Sequence, residues 1–553
     1  MKFKYLRFAF WVIILSIASL TAQESPYCYR VTLTDKNNSP YSIDNPAAYL
    51  SERAIAKRTR FNIAITEQDL PVNPQYIQQI CAVDNHIQVL TQSKWMNTVT
   101  IYCPDSTKLT DIQQLSFVSD LLPVATYHLI SAYSSAVPEA EMNSVVALRA
   151  GDSTATFDYG YGYPQIALHH GDFLHNDGFR GDSMLIVMLD AGWNGVDTLP
   201  IFAHLFENGQ IIGTRDLMPW SQNVYQDHYH GTICFSTMAA KQESLLVGTA
   251  PNASYFFIRS EAPTSEQLIE EDFWVQGAEI ADSLGADVVS SSLGYTEFAQ
   301  FPQGNFTYAA MDGVTSVASR AATILGQKGV VVCVSAGNEG ASDWHYIGHP
   351  GDAIDILTVG AADAAGNIAN FSSFGPTSDG RVKPDVTSVG WNTACFWQDG
   401  SIGTANGTSL ACPVMAGLCA CLWQALPEAS ATEIMQFVRE SASCYNNPND
   451  SLGYGIPNIY AAYTQHVGIP THHRQPTVSV FPNPTSNILN ILNPEMEIIN
   501  IELFTVNGIL ARQMNVANEF ILKMDVQDLP RGLYVGRAHT RDGQTTSFKI
   551  VLN

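Results

Sequence analysis

The run LIVMLD at residues 185–190 decides the fold: five apolar residues in a row, closed by a single carboxylate, Asp190. Four later runs share its character: SYFFIRS (254–260), ADVVSSSLG (286–294), VVVCVSAG (330–337) and ILTVGAA (356–362). Short runs that are apolar at successive positions suit strands buried on both faces of a parallel sheet. Between them, residues 231–242, 266–284 and 314–328 repeat apolar side chains at helical spacing. Strand and helix in alternation predict an α/β domain over 151–467 with a doubly wound parallel sheet, whose ligands bind beyond the carboxyl ends of the strands. Asp190, the Ser290–Gly294 run and Gly337-Asn338 all fall at such ends.

Outward from this domain lie two smaller units. Over residues 23–150 the pattern is mixed: 29–33 and 95–102 alternate like strands, and 118–124 returns to strand character. Residues 46–60, 73–81 and 109–117 read as helices. This is an α+β unit. On the other side, a polar linker at 468–477 holds two prolines and adjacent histidines. From Val478 to Asn553 short alternating runs (VSVF, NILNIL, IIELFTV, GLYVGRA, SFKIVLN) are separated by turn signals such as Asn507-Gly508 and Asp542-Gly543, as in a small β-sandwich.

At the front, Lys2, Lys4 and Arg7 precede an apolar run from Phe8 to Leu20 and a polar patch ending near Gln23. That is the layout of a secretory signal peptide over 1–22, and the run is short for a membrane span. With no later run of eighteen apolar residues, the remainder is expected to be soluble and extracellular or cell-surface bound. The 553 residues carry a net charge of −24, which argues against a nucleic-acid partner, because binding phosphate needs clustered lysine and arginine. Secretion permits disulfides among the ten cysteines. No paired metal-binding spacing appears, however, and Cys333 and Cys412 sit in apolar surroundings that suit buried thiols equally well. Cys419 and Cys421, two apart on a helix, should diverge.

Three residues could carry acyl-transfer chemistry, which needs a hydroxyl, a base, an acid to orient the base, and donors for the oxyanion. Ser409 opens a long apolar helix, where backbone N–H groups and the dipole favour negative charge. A serine there is, taken alone, more often an N-cap. His230 opens another helix, and Asp190 ends a buried strand, where a carboxylate needs a partner. In isolation each has a structural reading as good as its catalytic one.

Together they do not. LIVMLDAG (185–192), HGTICFSTMAA (230–240), VVVCVSAGNEG (330–340) and GTSLACPVMAG (407–417) resemble, in the right order, the four motifs of the subtilisin family. The likeness continues at Tyr159–Gly181 and at GYGIPN (453–458). The resemblance implies a serine endopeptidase acting on protein or peptide substrates, with Asp190 orienting His230, His230 as general base and Ser409 as nucleophile. Asn338 is implied as oxyanion donor. Ser292, Leu293 and Gly294 would pair with substrate backbone, and Gly337 and Gly348 would help wall the pocket, with Glu339 at its rim. No cofactor is implied. Calcium is compatible, but Trp193–Asp197 lacks the spacing of the family's tightest calcium site, and no metal ligands are assigned.

The flanks fit the same resemblance. Residues 24–150 are similar to a propeptide, which implies a zymogen cut within the polar stretch 131–156. FPNPTSN (481–487), LPRGLYVGR (529–537) and SFKIVLN (547–553) resemble the sorting domain of the type IX secretion machinery, which would then be a partner. A monomer is expected. The alternative reading is a catalytically inactive adhesin on the same scaffold. An esterase of the α/β-hydrolase type is disfavoured, because Ser409 lacks the G-x-S-x-G elbow.

Overall fold

The structure, a computed structural model, describes residues 27–126, 157–219, 221, 223–263, 265–467, 480–481, 483–492, 498–516, 521–541 and 545–553. The expected leader and linker, and the cleavage stretch 131–156, lie outside the described residues.

A seven-stranded sheet organises the large domain. Its strands are β1 (Leu185–Asp190), β2 (Ile211–Asp216), β3 (Ser254–Arg259), β4 (Val288–Ser291), β5 (Val331–Ser335), β6 (Leu357–Ala362) and β7 (Val386–Val389). They lie in the order β7-β6-β5-β4-β1-β3-β2, every neighbouring pair parallel. All residues of β1, β4, β5, β6 and β7 are buried. Two strands have no counterpart in the sequence reading, and both are edges. β2 (IIGTRD) ends in four residues that are not apolar and is partly exposed along its length, and β7 is four residues long with two hydroxyls in it. Edge strands have one neighbour and need not be uniformly apolar.

Helices α1 (His230–Ala239), α2 (Ile269–Leu284), α3 (Val317–Gln327) and α4 (Thr408–Ala425) cover the sheet. Helix α4 is buried along most of its length and packs on β4, β5 and β6 from one side, while α2 and α3 pack on the other. Among the described residues it is the helix long and apolar enough to cross a membrane, but it serves as a core helix with 89% of that window buried. All ten cysteines are free thiols. Cys419 lies fully buried beside Cys333, and Cys421 turns the other way to contact His175 and the Thr249 carbonyl.

Chain order reverses at the centre of the sheet: β1 sits between β4 and β3, so connections leave in opposite directions. The crevice this opens lies at the carboxyl ends of β1 and β4, where Asp190 and Ser290–Gly294 were expected.

The N-terminal unit is a four-stranded antiparallel sheet in the order Gln88–Ser93, Thr98–Tyr102, Cys28–Leu33, Val118–Ala125. Helices Glu52–Arg60 and Pro74–Cys81 begin at Ser51 and Asn73, whose side chains accept from Ala54 N and Gln75 N. The strand expected over 95–102 starts only at Thr98. Lys94 to Asn97 form a turn, with Asn97 at φ 52°, because the Glu279 carboxylate takes the N–H groups of Lys94 and Trp95 at 2.9 and 3.0 Å.

This unit docks on α2 through buried charge, from its sheet and from its first helix. Arg30 forms a fork with Asp272 (2.6 and 2.9 Å), and Arg58 bridges Asp69 and Asp282. Removing one partner of such a buried pair leaves an uncompensated charge, at a cost of roughly 3–5 kcal/mol.

The C-terminal unit is built from two antiparallel sheets. One holds Val480–Phe481, Ile488–Leu492 and Ile521–Asp525, and the other Leu510–Asn515, Ile498–Thr505, Gly532–Thr540 and Thr545–Leu552. Leu489, Ile501, Leu503, Leu522 and Ile550 fill the space between them. The sandwich is as expected, with two strands (Leu510–Asn515 and Ile521–Asp525) that the sequence reading passed over.

Candidate active site

Asp190 is the last residue of β1 and is fully buried. Its Oδ1 accepts from the Ala191 backbone N–H at 2.7 Å and from Nδ1 of His230 at 2.8 Å. His230 begins α1, and Gly231 lets that helix end approach the end of β1. A Cβ on Gly231 would stand 2.4 Å from the Gly192 carbonyl oxygen. Burial works against a charged imidazolium at His230, but the Asp190 carboxylate outweighs it and holds the ring's pKa well above its usual value. With Nδ1 donating to a carboxylate, Nε2 of the neutral ring is the free acceptor.

Ser409 lies in the first turn of α4 and is 8% exposed. Its hydroxyl donates to the Ser292 carbonyl at 3.4 Å, and its own carbonyl accepts from Ser292 Oγ at 2.9 Å and Cys234 Sγ at 3.1 Å. Cys234, one turn along α1 from His230, stands 4.0 Å from both ring nitrogens. The thiol therefore joins the histidine helix to the serine helix. Burial raises its pKa, so it remains a neutral donor rather than a competing thiolate.

Asn338 follows β5. Its Oδ1 accepts twice from Thr408, from the backbone N–H at 2.9 Å and from Oγ1 at 3.0 Å. Both of those groups can donate, so the amide oxygen must face Thr408 and Nδ2 is turned outward. Thr408 Oγ1 in turn accepts from the Gly337 N–H at 3.2 Å. Gly337 adopts φ 101°, and a Cβ there would meet Ser373 Oγ at 2.9 Å. The glycine is thus required by backbone conformation and by close approach.

The residues expected to meet substrate fall on two walls. Ser292 and Leu293 bury their side chains, at 7% and 4% exposure, so only their backbone faces the crevice, whereas Gly294 is exposed. Gly348 sits behind Gly337, with its N–H on the Ala336 carbonyl at 3.3 Å. Glu339 is partly exposed beside them, its N–H on Ser373 Oγ.

Several members of the site had no role in the sequence reading. Thr408 stood inside a quoted motif, but the need to anchor Asn338 arises only once two distant loops meet. Arg259, at the end of β3, is fully buried and pairs with Asp227 at 2.5 Å and Asp216 at 3.5 Å. It thereby pins the loop that leads into His230, in which Asp227 has φ 75°. His228 in that loop accepts the His230 backbone N–H on its Nδ1 at 3.3 Å. Burial brings its pKa down to about 4, so it is neutral beside His230.

One group of metal-ligand type exists among the described residues: Asp190, His230 and Cys234, with ligand atoms within 4.8 Å of one another. A metal there would occupy the imidazole and the carboxylate that acid–base chemistry needs.

Three family models match successive parts of the chain. Residues 215–455 match the subtilase family, residues 28–138 the peptidase S8 propeptide domain of Bacteroidota, and residues 479–553 the secretion system C-terminal sorting domain. The subtilase match begins downstream of Asp190, whose assignment rests on its bond to His230. Serine protease AprX of Bacillus subtilis is 28% identical over 311 residues, which are 51% of this chain and 64% of that protein. Subtilisin NAT of Bacillus subtilis subsp. natto is 28% identical over 55% of this chain and 70% of its own length. Subtilisin of Bacillus pumilus is 28% identical over 55% and 98%. The chain thus spans just under two thirds of AprX and most of the shorter subtilisins.

Proposed function

Because this chain carries an S8 propeptide domain, a subtilase domain and a secretion-system sorting domain in succession, we propose that it is a secreted serine endopeptidase, made as a zymogen, with Asp190, His230 and Ser409 as its triad. The observation that carries the reading is the 2.8 Å bond from His230 Nδ1 to a fully buried Asp190. That bond fixes the tautomer and leaves Nε2 as the base.

The chemistry follows from the groups present. The Ser409 hydroxyl leaves the Ser292 carbonyl by rotation about χ1 and gives its proton to His230 Nε2 as it attacks the peptide carbonyl. Asp190 stabilises the imidazolium that forms. The oxyanion is met by Asn338 Nδ2 and by the Ser409 backbone N–H at the start of α4. His230 then protonates the leaving amine, and a water activated by the same nitrogen releases the acyl group. The substrate backbone would lie along Ser292–Gly294, with Gly337 and Gly348 at the pocket wall. No metal takes part in any of these steps.

The test is labelling by a fluorophosphonate probe together with casein cleavage by the processed protein. Both should occur, and both should be lost in Ser409→Ala. An inactive adhesin would take up no probe.

A further inference from the structure

His349 has no part in the mechanism above, yet it stands where the two walls of the crevice meet. Its backbone forms a bridge with Tyr295, which directly follows Ser292–Gly294. The Tyr295 N–H donates to the His349 carbonyl at 2.8 Å, and the His349 N–H donates to the Tyr295 carbonyl at 3.1 Å. The residue before it, Gly348, donates to the carbonyl of Ala336 at 3.3 Å, and Ala336 leads into Gly337-Asn338. Two consecutive residues thus tie the segment expected to pair with substrate backbone to the loop expected to present the oxyanion donor. The fit is close: a Cβ on Gly348 would stand 3.1 Å from Thr296 Cγ2 and 3.4 Å from the Tyr295 carbonyl oxygen.

The side chain of His349 is fully buried, so it can reach a substrate only through the backbone it holds. Its Nδ1 lies 2.8 Å from Oδ1 of Asp352, three residues on, and a carboxylate only accepts, so Nδ1 carries the hydrogen. Ser319 on α3 donates to the same oxygen at 2.5 Å and lies 3.0 Å from Nδ1, while the Gly313 N–H donates to Asp352 Oδ2 at 2.7 Å. Burial works against the Asp352 carboxylate, but the bond from His349, with those from Ser319 and Gly313, outweighs it and holds its pKa below the usual range. The other ring nitrogen, Nε2, is buried without a partner, and the ring meets Phe306 edge-on at 4.3 Å. A phenyl ring would pack there and leave no nitrogen unsatisfied, so what the imidazole adds is the bond from Nδ1. That bond anchors the bridge between the walls to α3 and Asp352.

We propose that His349 is a positioning residue for substrate binding, which with Asp352 and Ser319 fixes the spacing of the two walls of the crevice. The inference rests on the peptidase reading.

The experiment uses the processed protein, a tetrapeptide p-nitroanilide that the wild type cuts, and diisopropyl fluorophosphate, a small probe that labels the nucleophile without filling the crevice. In His349→Phe, KM should rise roughly 10-fold, the low end for losing a hydrogen bond to a charged group. There kcat should stay within about threefold, because Asn338 keeps its bonds from Thr408, and the labelling rate within about twofold. His349→Asn, whose amide can donate to Asp352, should return KM to within about threefold of the wild type. Ser319→Ala leaves His349 in place and should raise KM by about two- to threefold, and it carries the test if His349→Phe does not fold. A lowered melting temperature with KM unchanged in both His349→Phe and Ser319→Ala would make the cluster purely structural and overturn the proposal. So would an asparagine variant no better than the phenylalanine one, or labelling that slows as much as kcat/KM falls. If the wild type takes no label and cuts no peptide, it is the peptidase reading that has failed.

Discussion

Thr408→Val offers the sharpest test of how Asn338, the proposed oxyanion donor, is held, because it swaps one hydroxyl for a methyl of the same shape. In the structure that hydroxyl supplies one of the two bonds that fix Asn338 Oδ1 (3.0 Å) and accepts the Gly337 N–H at 3.2 Å. The backbone N–H of Thr408 remains on Oδ1 at 2.9 Å. One neutral hydrogen bond contributes about 0.5–1.5 kcal/mol net, so kcat should fall by about 2- to 13-fold. Asn338→Leu removes the donor outright and should lower kcat by about 10²–10³ with little change in KM. The part-buried Gly337 N–H left without an acceptor should cost about 1 kcal/mol of stability, the low end for an unsatisfied donor, read from denaturant unfolding in a Ser409→Ala background. The decisive assay is the double mutant. With no amide to orient, Thr408→Val should add less than about twofold to the loss in Asn338→Leu. Full multiplication of the two losses would refute the anchoring argument, and so would a Thr408→Val enzyme as damaged as Asn338→Leu.

Three further expectations follow from the same features. With the folded pKa of His230 held well above 6.5 by Asp190, kcat/KM should fall as pH drops through that raised value, because only the neutral ring is a base. The matching stability term runs the other way: the Asp190–His230⁺ attraction is fully present below about 6.5 and lost as pH rises through the folded value. Melting of Ser409→Ala against pH, with and without Asp190→Asn, measures it. N-terminal sequencing should find the mature chain beginning between about residues 140 and 158, in the weakly patterned stretch that invites cleavage. Ser409→Ala purified alone should stay uncut, and equal processing of both proteins in a protease-free host would rule out self-cleavage. Deleting Pro476–Asn553 should leave an active peptidase after refolding, because the large domain closes with its own helix at Ile459–His466. In the native host the same deletion should block export, and normal export would remove the sorting role.

Much of the architecture was legible because burial on two faces writes a local signature. The runs at 185–190, 330–337 and 356–362 became β1, β5 and β6 with shifts of at most two residues at either end. Edge strands β2 and β7 left no such mark, since an edge can carry polar residues without penalty. The 95–102 run shows the opposite failure. Its alternation was real, yet Trp95, Met96 and Asn97 belong to a turn, because Glu279 on a helix far away in sequence takes the N–H groups of Lys94 and Trp95.

The active site divides in the same way. The resemblance of four motifs, in order along the chain, pointed to Asp190, His230, Asn338 and Ser409 as candidates, where no one of them stood out by itself. It could not reveal that Cys234 touches the Ser409 carbonyl, that Thr408 orients Asn338, or that Arg259 pins the histidine loop. Those relations join segments separated by tens to hundreds of residues. A residue's own neighbours in sequence fix which element it enters and how deeply it is buried. The group that satisfies its hydrogen bond or its charge is chosen only when the sheet brings loop ends together, and that choice is made in three dimensions.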